Sequence, residues 1–222
     1  MTSPRDLSQQ KRLHMKRLLV VALSLMLTAS TASAIGFGGG VHGGVSFSSF
    51  PKAVKDYYGT GFGFGAHGDL KIIKYLTARL NVDYHIFSSD KNKIIEEIAR
   101  DNNVATSDLS FEGFNASVLG ITLNGIGRIP LGKSPVTPYG LAGLGIHILS
   151  ISDPKLTYQG QDVTSQIFGK PETETKFGIN FGAGAEFALA GFSLYAEVKY
   201  VIIFTENENT SHIPITVGVI LP

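Results

Sequence analysis

The chain has 222 residues, of which 26 are glycine, 17% charged and 43% hydrophobic, with a formal net charge of +1 and neither cysteine nor tryptophan. That length suits one domain with an appendage. Zero cysteine excludes a disulfide framework, a thiolate metal site, a cysteine nucleophile and a lipidated cysteine anchor, and the near-neutral balance argues against a nucleic-acid partner held through phosphates. Low charge with abundant glycine and apolar residues is not the composition of a disordered chain. It asks for strand-rich structure that is not bathed in water on every side.

Residues 1–34 have a composition of their own. Lys11, Arg12, Lys16 and Arg17 precede a ten-residue apolar run, Leu18–Leu27, and the small residues Thr28–Ala34 end in a small-x-small pattern. This is the layout of a cleavable secretory signal peptide, with the cut between Ala34 and Ile35. Ten helical residues reach about 15 Å, half of a hydrocarbon core, which is too short for an anchor. Met15 opens a more compact version of the same signal and is the alternative start. The segment carries five Lys/Arg and one Asp, so residues 35–222 keep 14 basic and 17 acidic side chains, a net charge of −3, and all 26 glycines. No second apolar run reaches the 18 residues of a membrane helix.

The remainder alternates apolar and polar residues with period two, the signature of strands half exposed to each environment. In chain order, 37–48 sets Phe37, Val41, Val45 and Phe47 against Gly38, Gly40, His42, Gly44 and Ser46. Residues 61–72 set Phe62, Phe64, Ala66, Leu70 and Ile72 against Gly61, Gly63, Gly65, His67, Asp69 and Lys71. Residues 76–87 set Leu76, Leu80, Val82, Tyr84 and Ile86 against Thr77, Arg79, Asn81, Asp83 and His85. The fourth strand, about 112–127, has an ambiguous phase around Val118–Ile121, where a bulge is expected. The fifth, about 137–151, puts Ala142, Leu144, Ile146 and Ile148 on one face. Residues 177–189 set Phe177, Ile179, Phe181, Ala183 and Phe187 against Gly178, Asn180, Gly182, Gly184 and Glu186. From 192 onward Phe192, Leu194, Ala196, Val198 and Tyr200 oppose Ser193, Tyr195, Glu197 and Lys199, with Val201 and Ile203 as apolar exceptions. The last strand sets Ile213, Ile215, Val217, Val219 and Leu221 against Thr216 and Gly218.

These runs of about 10–14 residues exceed the usual 5–6 of a globular strand and match a tilted strand that crosses a membrane. The links between them alternate short (around 74–75, 130–136, 190–191) and long (about 49–60, 88–111, 152–175, 206–212). An even strand number with links sorted by length is the pattern of outer-membrane barrels, with short turns in the periplasm and long loops outside. Both ends of the mature chain then lie in the periplasm. Closure is required because an open sheet edge in lipid leaves amides unpaired at several kcal/mol each. The expected fold is all-β: an eight-stranded antiparallel up-and-down transmembrane β-barrel over 35–222, preceded by the signal peptide 1–34.

The stretch 176–187 (KFGINFGAGAEF), then Ser193–Tyr200 (SLYAEVKY) and Ile213–Val219 (IPITVGV) resembles the small outer-membrane β-barrel superfamily that includes the OmpA transmembrane domain, OmpX and OmpW. Pro138–Gly145 (PYGLAGLG) is similar to a recurrent fifth-strand pattern of that group. The resemblance covers nearly all of 35–222 and implies a bacterial outer-membrane location, outer-membrane lipid as environment, and the barrel-insertion machinery and periplasmic chaperones as partners during assembly. The chain departs from it at Ile220-Leu221-Pro222, where the group commonly ends in an aromatic residue. With no Trp, an interfacial belt has to come from residues such as Tyr75, Tyr84, Tyr139, Tyr200 and Phe204.

The inward polar row, Asp69, Lys71, Arg79, Asp83, His85, Glu186, Glu197 and Lys199, forms the candidate lumen network: a pore lining in one reading, a structural plug of paired charges in the favoured one. His42, His67, His85 and His147 fall on strand positions read as differing in depth, so no metal site is assigned. Gly63–Gly68 matches a dinucleotide fingerprint as text, but strand alternation continues where its mechanism requires a helix. His85 with Ser88 and Ser89 at the strand end lacks a third orienting group, so neither a catalytic site nor a cofactor is expected. In the loop 88–111, Asp90 caps a short amphipathic helix with Ile94, Ile95 and Ile98 on one face, read as resting on the barrel rim. The polar loop Asp153–Thr175 reads as mobile and exposed. Three functions compete: a structural or surface-interaction barrel whose long loops meet extracellular ligands; a narrow channel for small, hydrophobic solutes, as the resemblance to OmpW implies; and a soluble secreted or periplasmic ligand-binding barrel.

Overall fold

A computed structural model describes residues 36–50, 57–169, 172–206 and 208–222. The signal peptide expected over 1–34 and its Ala34/Ile35 junction lie outside these residues. The strands are β1 Gly36–Phe50, β2 Tyr58–Ile73, β3 Leu76–Ser89, β4 Leu109–Glu112, β5 Ala116–Arg128, β6 Val136–Ile151, β7 Lys155–Tyr158, β8 Gln161–Asp162, β9 Glu174–Leu189, β10 Phe192–Ile203 and β11 Thr210–Leu221. Eight of them close a barrel in the order β1-β11-β10-β9-β6-β5-β3-β2, every pair antiparallel between chain neighbours or across the β1–β11 seam. At the seam Val41 stands opposite Val219 on β11 and Ala66 on β2, so β1 has no free edge.

The expected alternation is the observed one. Outward residues such as Val41, Phe62, Phe64, Leu80, Leu123, Leu144, Phe181 and Val217 are exposed, whereas His67, Arg79, Asn81, Asn124, Asn180 and Lys199 are buried in the lumen. A soluble monomer rarely exposes apolar surface on this scale; a barrel in lipid must. A soluble ligand-holding barrel would carry the opposite partition, so that reading does not fit. The outward aromatics mark the depth of the apolar band. Phe37 and Phe47 on β1, and Phe187 and Phe177 on β9, are all exposed and stand ten residues apart. Ten residues span about 33 Å along a strand, or about 25 Å along the axis at a tilt near 40°, the height of an outer-membrane apolar band. Tyr75, Phe192 and Phe204 are also exposed, at strand ends. Tyr139 does not belong to this belt. Odd residues of β6 point inward, and its side chain is buried, donating its hydroxyl to Glu197 Oε2 at 2.8 Å.

β5 carries no bulge: its register runs unbroken from Ala116 to Arg128 against β6, and from Ala116 to Gly127 against β3. The phase was ambiguous because its inward row holds two apolar residues, Val118 and Ile126, among Gly120, Thr122 and Asn124. Register shifts fall instead near strand ends, between Ser48 and Phe50 and between Tyr58 and Gly61.

Two of the long connections, those after β3 and β6, are folded. Helix α1 spans Lys91–Asn102, begins where the Asp90 carboxylate accepts the Lys93 amide at 3.3 Å, and ends at Asn103 in the left-handed conformation, φ 52°. β4 pairs with β7 and β7 with β8, joining the loop after β3 to the loop after β6. Asp162 accepts the Thr164 amide at 2.9 Å and starts the one-turn helix α2, Thr164–Ile167. Ile94, Phe111 and Leu156 form the buried core of this cap, packed by Ile95, Ile98, Leu109, Val163 and Phe168. The isoleucine stripe of α1 is therefore covered chiefly by neighbouring loop residues. The loop 153–175, expected to be exposed and mobile, instead contributes Leu156, which is 0% exposed, and the Phe168 ring.

Candidate functional site: the filled lumen and its cap

Inward-facing positions of an eight-stranded barrel meet across a space only as wide as their side chains. At mid-lumen the charges form one chain. Arg79 grips Asp69 with two bonds, Nε to Oδ1 at 2.7 Å and Nη2 to Oδ2 at 2.8 Å. Its Nη1 lies 3.6 Å from Glu197 Oε2. Lys199 Nζ stands 3.6 Å from Glu197 Oε1 and 3.2 Å from Asp83 Oδ2, and Asp83 Oδ1 meets His42 Nε2 at 2.6 Å. Six residues from β1, β2, β3 and β10 are thus linked across the interior. Tyr139 of β6 bonds Glu197, the Arg79 guanidinium sits 5.3 Å from the Tyr195 ring centroid, and Tyr195 Oη is 3.4 Å from His67 Nδ1. Pairing this dense is what lets charges remain in a space without bulk water.

Of the eight expected residues, Asp69, Arg79, Asp83, Glu197 and Lys199 belong to this chain. His85 stands beside it with its ring centroid 5.2 Å from that of His212. Glu186 belongs to a separate pair nearer the short turns, where Arg128 binds it bidentately at 2.9 and 2.7 Å and reaches Thr77 Oγ1 at 2.5 Å. Lys71 is exposed at the mouth, its stem against Gly36, and joins no ion pair among the described residues. The sequence reading missed His42, Arg128, Tyr139 and Tyr195 as members. Arg128 lies at the end of the strand of ambiguous phase, Tyr139 is among the residues expected at the lipid interface, and Tyr195 is on the expected inward face but carries no charge to mark it as a member. His212 lay one residue before the expected last strand. The histidines do not all differ in depth: His85, His147 and His212 line one cavity of about 10 Å³, together with Asp83, Asn180 and Lys199. No cluster of metal-ligating side chains is present among the described residues.

Toward the long loops the lumen turns apolar. Tyr58, Phe87, Val118, Val201 and Ile203 form a buried plug, capped by Tyr57, Phe114, Ala116 and Leu149. The apolar exceptions Val201 and Ile203 are explained here: they face inward but sit beyond the charged layer. Phe114 stacks on Tyr58 with ring centroids 6.1 Å apart and holds a φ of 60°, a strained value for a bulky residue. Tyr57 ties plug to cap, its hydroxyl on Glu97 and its carbonyl on the Asp90 amide at 2.7 Å.

The glycines make this filling fit. A Cβ at Gly63 would strike the His85 ring, one at Gly184 the Tyr139 ring, one at Gly143 the Asn124 amide; at Gly218 it would come within 2.5 Å of the Tyr195 ring and at Gly61 within 2.7 Å of Phe87. Each of these five inward side chains lies over a bare stretch of a neighbouring strand.

A closed barrel with an apolar exterior band, aromatic girdles and a polar interior defines an integral β-barrel membrane protein. A family model described as outer membrane protein beta-barrel domain matches residues 19–220. The chain belongs to that family, and its place is the bacterial outer membrane, with lipid around its exterior. Among solved structures, Neisserial surface protein A from Neisseria is 17% identical, with 85% of this chain and 99% of that chain covered at a TM-score of 0.55. A major outer membrane protein from Thermus thermophilus is 12% identical, with 85% and 98% covered at 0.52. These identities define a shared fold. No curated protein matches by sequence.

Proposed function

We propose that this protein is a closed, non-enzymatic outer-membrane barrel whose folded loop-end cap is a surface for contacts with extracellular host, envelope or phage components. The carrying observation is the filled lumen: charged chain, small cavity and apolar plug succeed one another beneath a cap with its own core. In this reading the ion chain is a structural plug. The cap lies outside the cell, both chain ends lie in the periplasm, and residues 1–34 direct export before cleavage at Ala34/Ile35. Periplasmic chaperones and the barrel-insertion machinery act on the chain during assembly. Planar-bilayer recording and liposome uptake on refolded protein at neutral pH test the proposal. No discrete conductance and no uptake of small hydrophobic solutes are expected. A reproducible neutral-pH conductance would overturn it in favour of the channel.

A further inference from the structure

All five described histidines point into the lumen, and none lies in a loop or faces lipid. His85 on β3, His147 on β6 and His212 on β11 line the small cavity, which has room for about one water. Both ring nitrogens of His147, Nδ1 of His85 and Oδ1 of Asn180 are buried without a hydrogen-bond partner. Asp83, Thr122, Asn180 and Lys199 line the chamber with the three histidines, and further polar groups face the lumen around it. β1 presents His42, β2 presents Tyr58, His67 and Asp69, and β3 presents Arg79 and Asp83. Tyr139 comes from β6, and Tyr195, Glu197 and Lys199 from β10. β5 and β9 contribute neutral Thr122 and Asn180 here, and their ion pair, Arg128–Glu186, sits near the short turns. Three carboxylates (Asp69, Asp83, Glu197) face two permanent cations (Arg79, Lys199), which leaves one negative charge unmatched, and His42 already occupies Asp83. A first proton on His85, His147 or His212 balances that charge; each further one adds positive charge beside Lys199 with no carboxylate left to meet it. An unpaired charge in a water-free space is relieved by water entering.

The barrel wall is closed by its own hydrogen-bond ladders; the β4-β7-β8 sheet of the cap is a separate ladder that does not pair with the wall. The outer side of the chamber is Val118 and Val201, both members of the apolar plug. Above the plug, the joint between cap and wall runs through Phe114, the strained residue between β4 and β5. We propose that the His85–His147–His212 chamber is an acid-operated latch: protonation wets it from the loop end and parts the cap from the barrel mouth at Phe114. One proton taken up on wetting, at an ordinary histidine pKa of about 6.5, favours the wet state by roughly thirtyfold at pH 5. Several such protons would multiply this factor, as in other histidine-cluster switches.

The absence of cysteine allows a clean test. Val118→Cys places a single thiol on the outer wall of the chamber. Ser165→Cys, on exposed α2, corrects for the pH dependence of thiol chemistry. Labelling of each full-length barrel in lipid by an anionic, membrane-impermeant methanethiosulfonate gives a rate ratio. That ratio is expected to be low at neutral pH, to rise at least about tenfold near pH 5 and to return on neutralisation. With His147→Gln and His212→Gln added, the rise should diminish, because His85 alone is left to take a proton, while heat-modifiable gel mobility remains. A ratio that does not change with pH overturns the latch. So does a rise undiminished in the histidine variant, which would assign the acid response to Asp69, Asp83 and Glu197. If the double variant fails to assemble, His147→Gln alone replaces it: a reduced rise supports the latch and an unaltered one overturns it. The inference rests on the closed-lumen reading, and the outcomes separate: fast labelling at neutral pH counts against closure, whereas a missing acid rise counts against the latch alone.

Discussion

Replacing Arg79 by Met keeps most of its aliphatic stem and deletes the cation. Asp69 then loses both bonds of its bidentate clamp, at 2.7 and 2.8 Å, and no other cation pairs with it among the described residues. Glu197 is less affected, because it keeps the Tyr139 hydroxyl at 2.8 Å and Lys199 at 3.6 Å. The cost is therefore concentrated at one buried carboxylate, and breaking a buried pair from one side costs about 3–5 kcal/mol. Arg79→Met should lower barrel stability by that amount, read from urea unfolding and refolding in lipid vesicles. Asp69→Leu alone leaves Arg79 with the 3.6 Å contact to Glu197 and the Tyr195 ring and should cost about as much. The double variant removes both charges, and replacing a buried pair by apolar residues is often near neutral. The double variant should then cost less than either single one, so that the two single effects together exceed it by at least about 3 kcal/mol. Additive losses, or a single loss below about 1 kcal/mol, would show that Arg79 and Asp69 do not depend on one another and would refute the paired-plug account.

Leu156→Ala empties the fully buried centre of the cap and should cost about 2–5 kcal/mol of local stability. Limited proteolysis should then nick the cap between β7 and β9 while the barrel keeps its heat-modifiable mobility; a cap as resistant as the wild type would show that its core does not hold it. Leu123→Arg places a charge on the outward face between Leu80 and Leu144. It should destabilise the barrel by about 2–4 kcal/mol in lipid, the cost near a bilayer midplane, and a negligible effect on vesicle refolding would contradict the assigned lipid face.

How much could be read in advance followed from how each feature is encoded. Strand positions and the polar row were legible because one environment change per residue produces a period of two, and the chain keeps that period for ten residues or more. Where the inward row itself changes character, the signal fails. Val118 and Ile126 face inward on β5, so apolar no longer means outward there, and the ambiguity invited a bulge that does not exist. Tyr139 was read as an interfacial residue because tyrosine suits either environment; only its phase on β6 assigns it to Glu197. The cap was the least legible part. β4 and β7 pair across more than forty residues of chain, and Leu156 sits between Lys155 and Thr157 in a segment whose polarity reads as loop. One buried leucine and one phenylalanine give no periodicity, yet with Phe111 and Ile94 they suffice to close a small core.

The glycines connect these levels. Their excess first excludes an ordinary soluble domain, then locates the inward rows, and finally sets what the lumen can do. Because Gly63, Gly143, Gly184 and Gly218 each lie under a bulky neighbour, their lack of side chains does not open a channel; it makes room for His85, Asn124, Tyr139 and Tyr195 to fill it. A barrel of this size therefore offers variation in only two places: among the charges it packs inside, where each change must be matched by a partner, and in the long loops, where the hydrogen-bond ladder imposes nothing. The chain has used that second freedom to build a sheet, a helix and a core on top of the barrel, and the strained Phe114 that joins the two is the point at which events in the lumen can reach the surface.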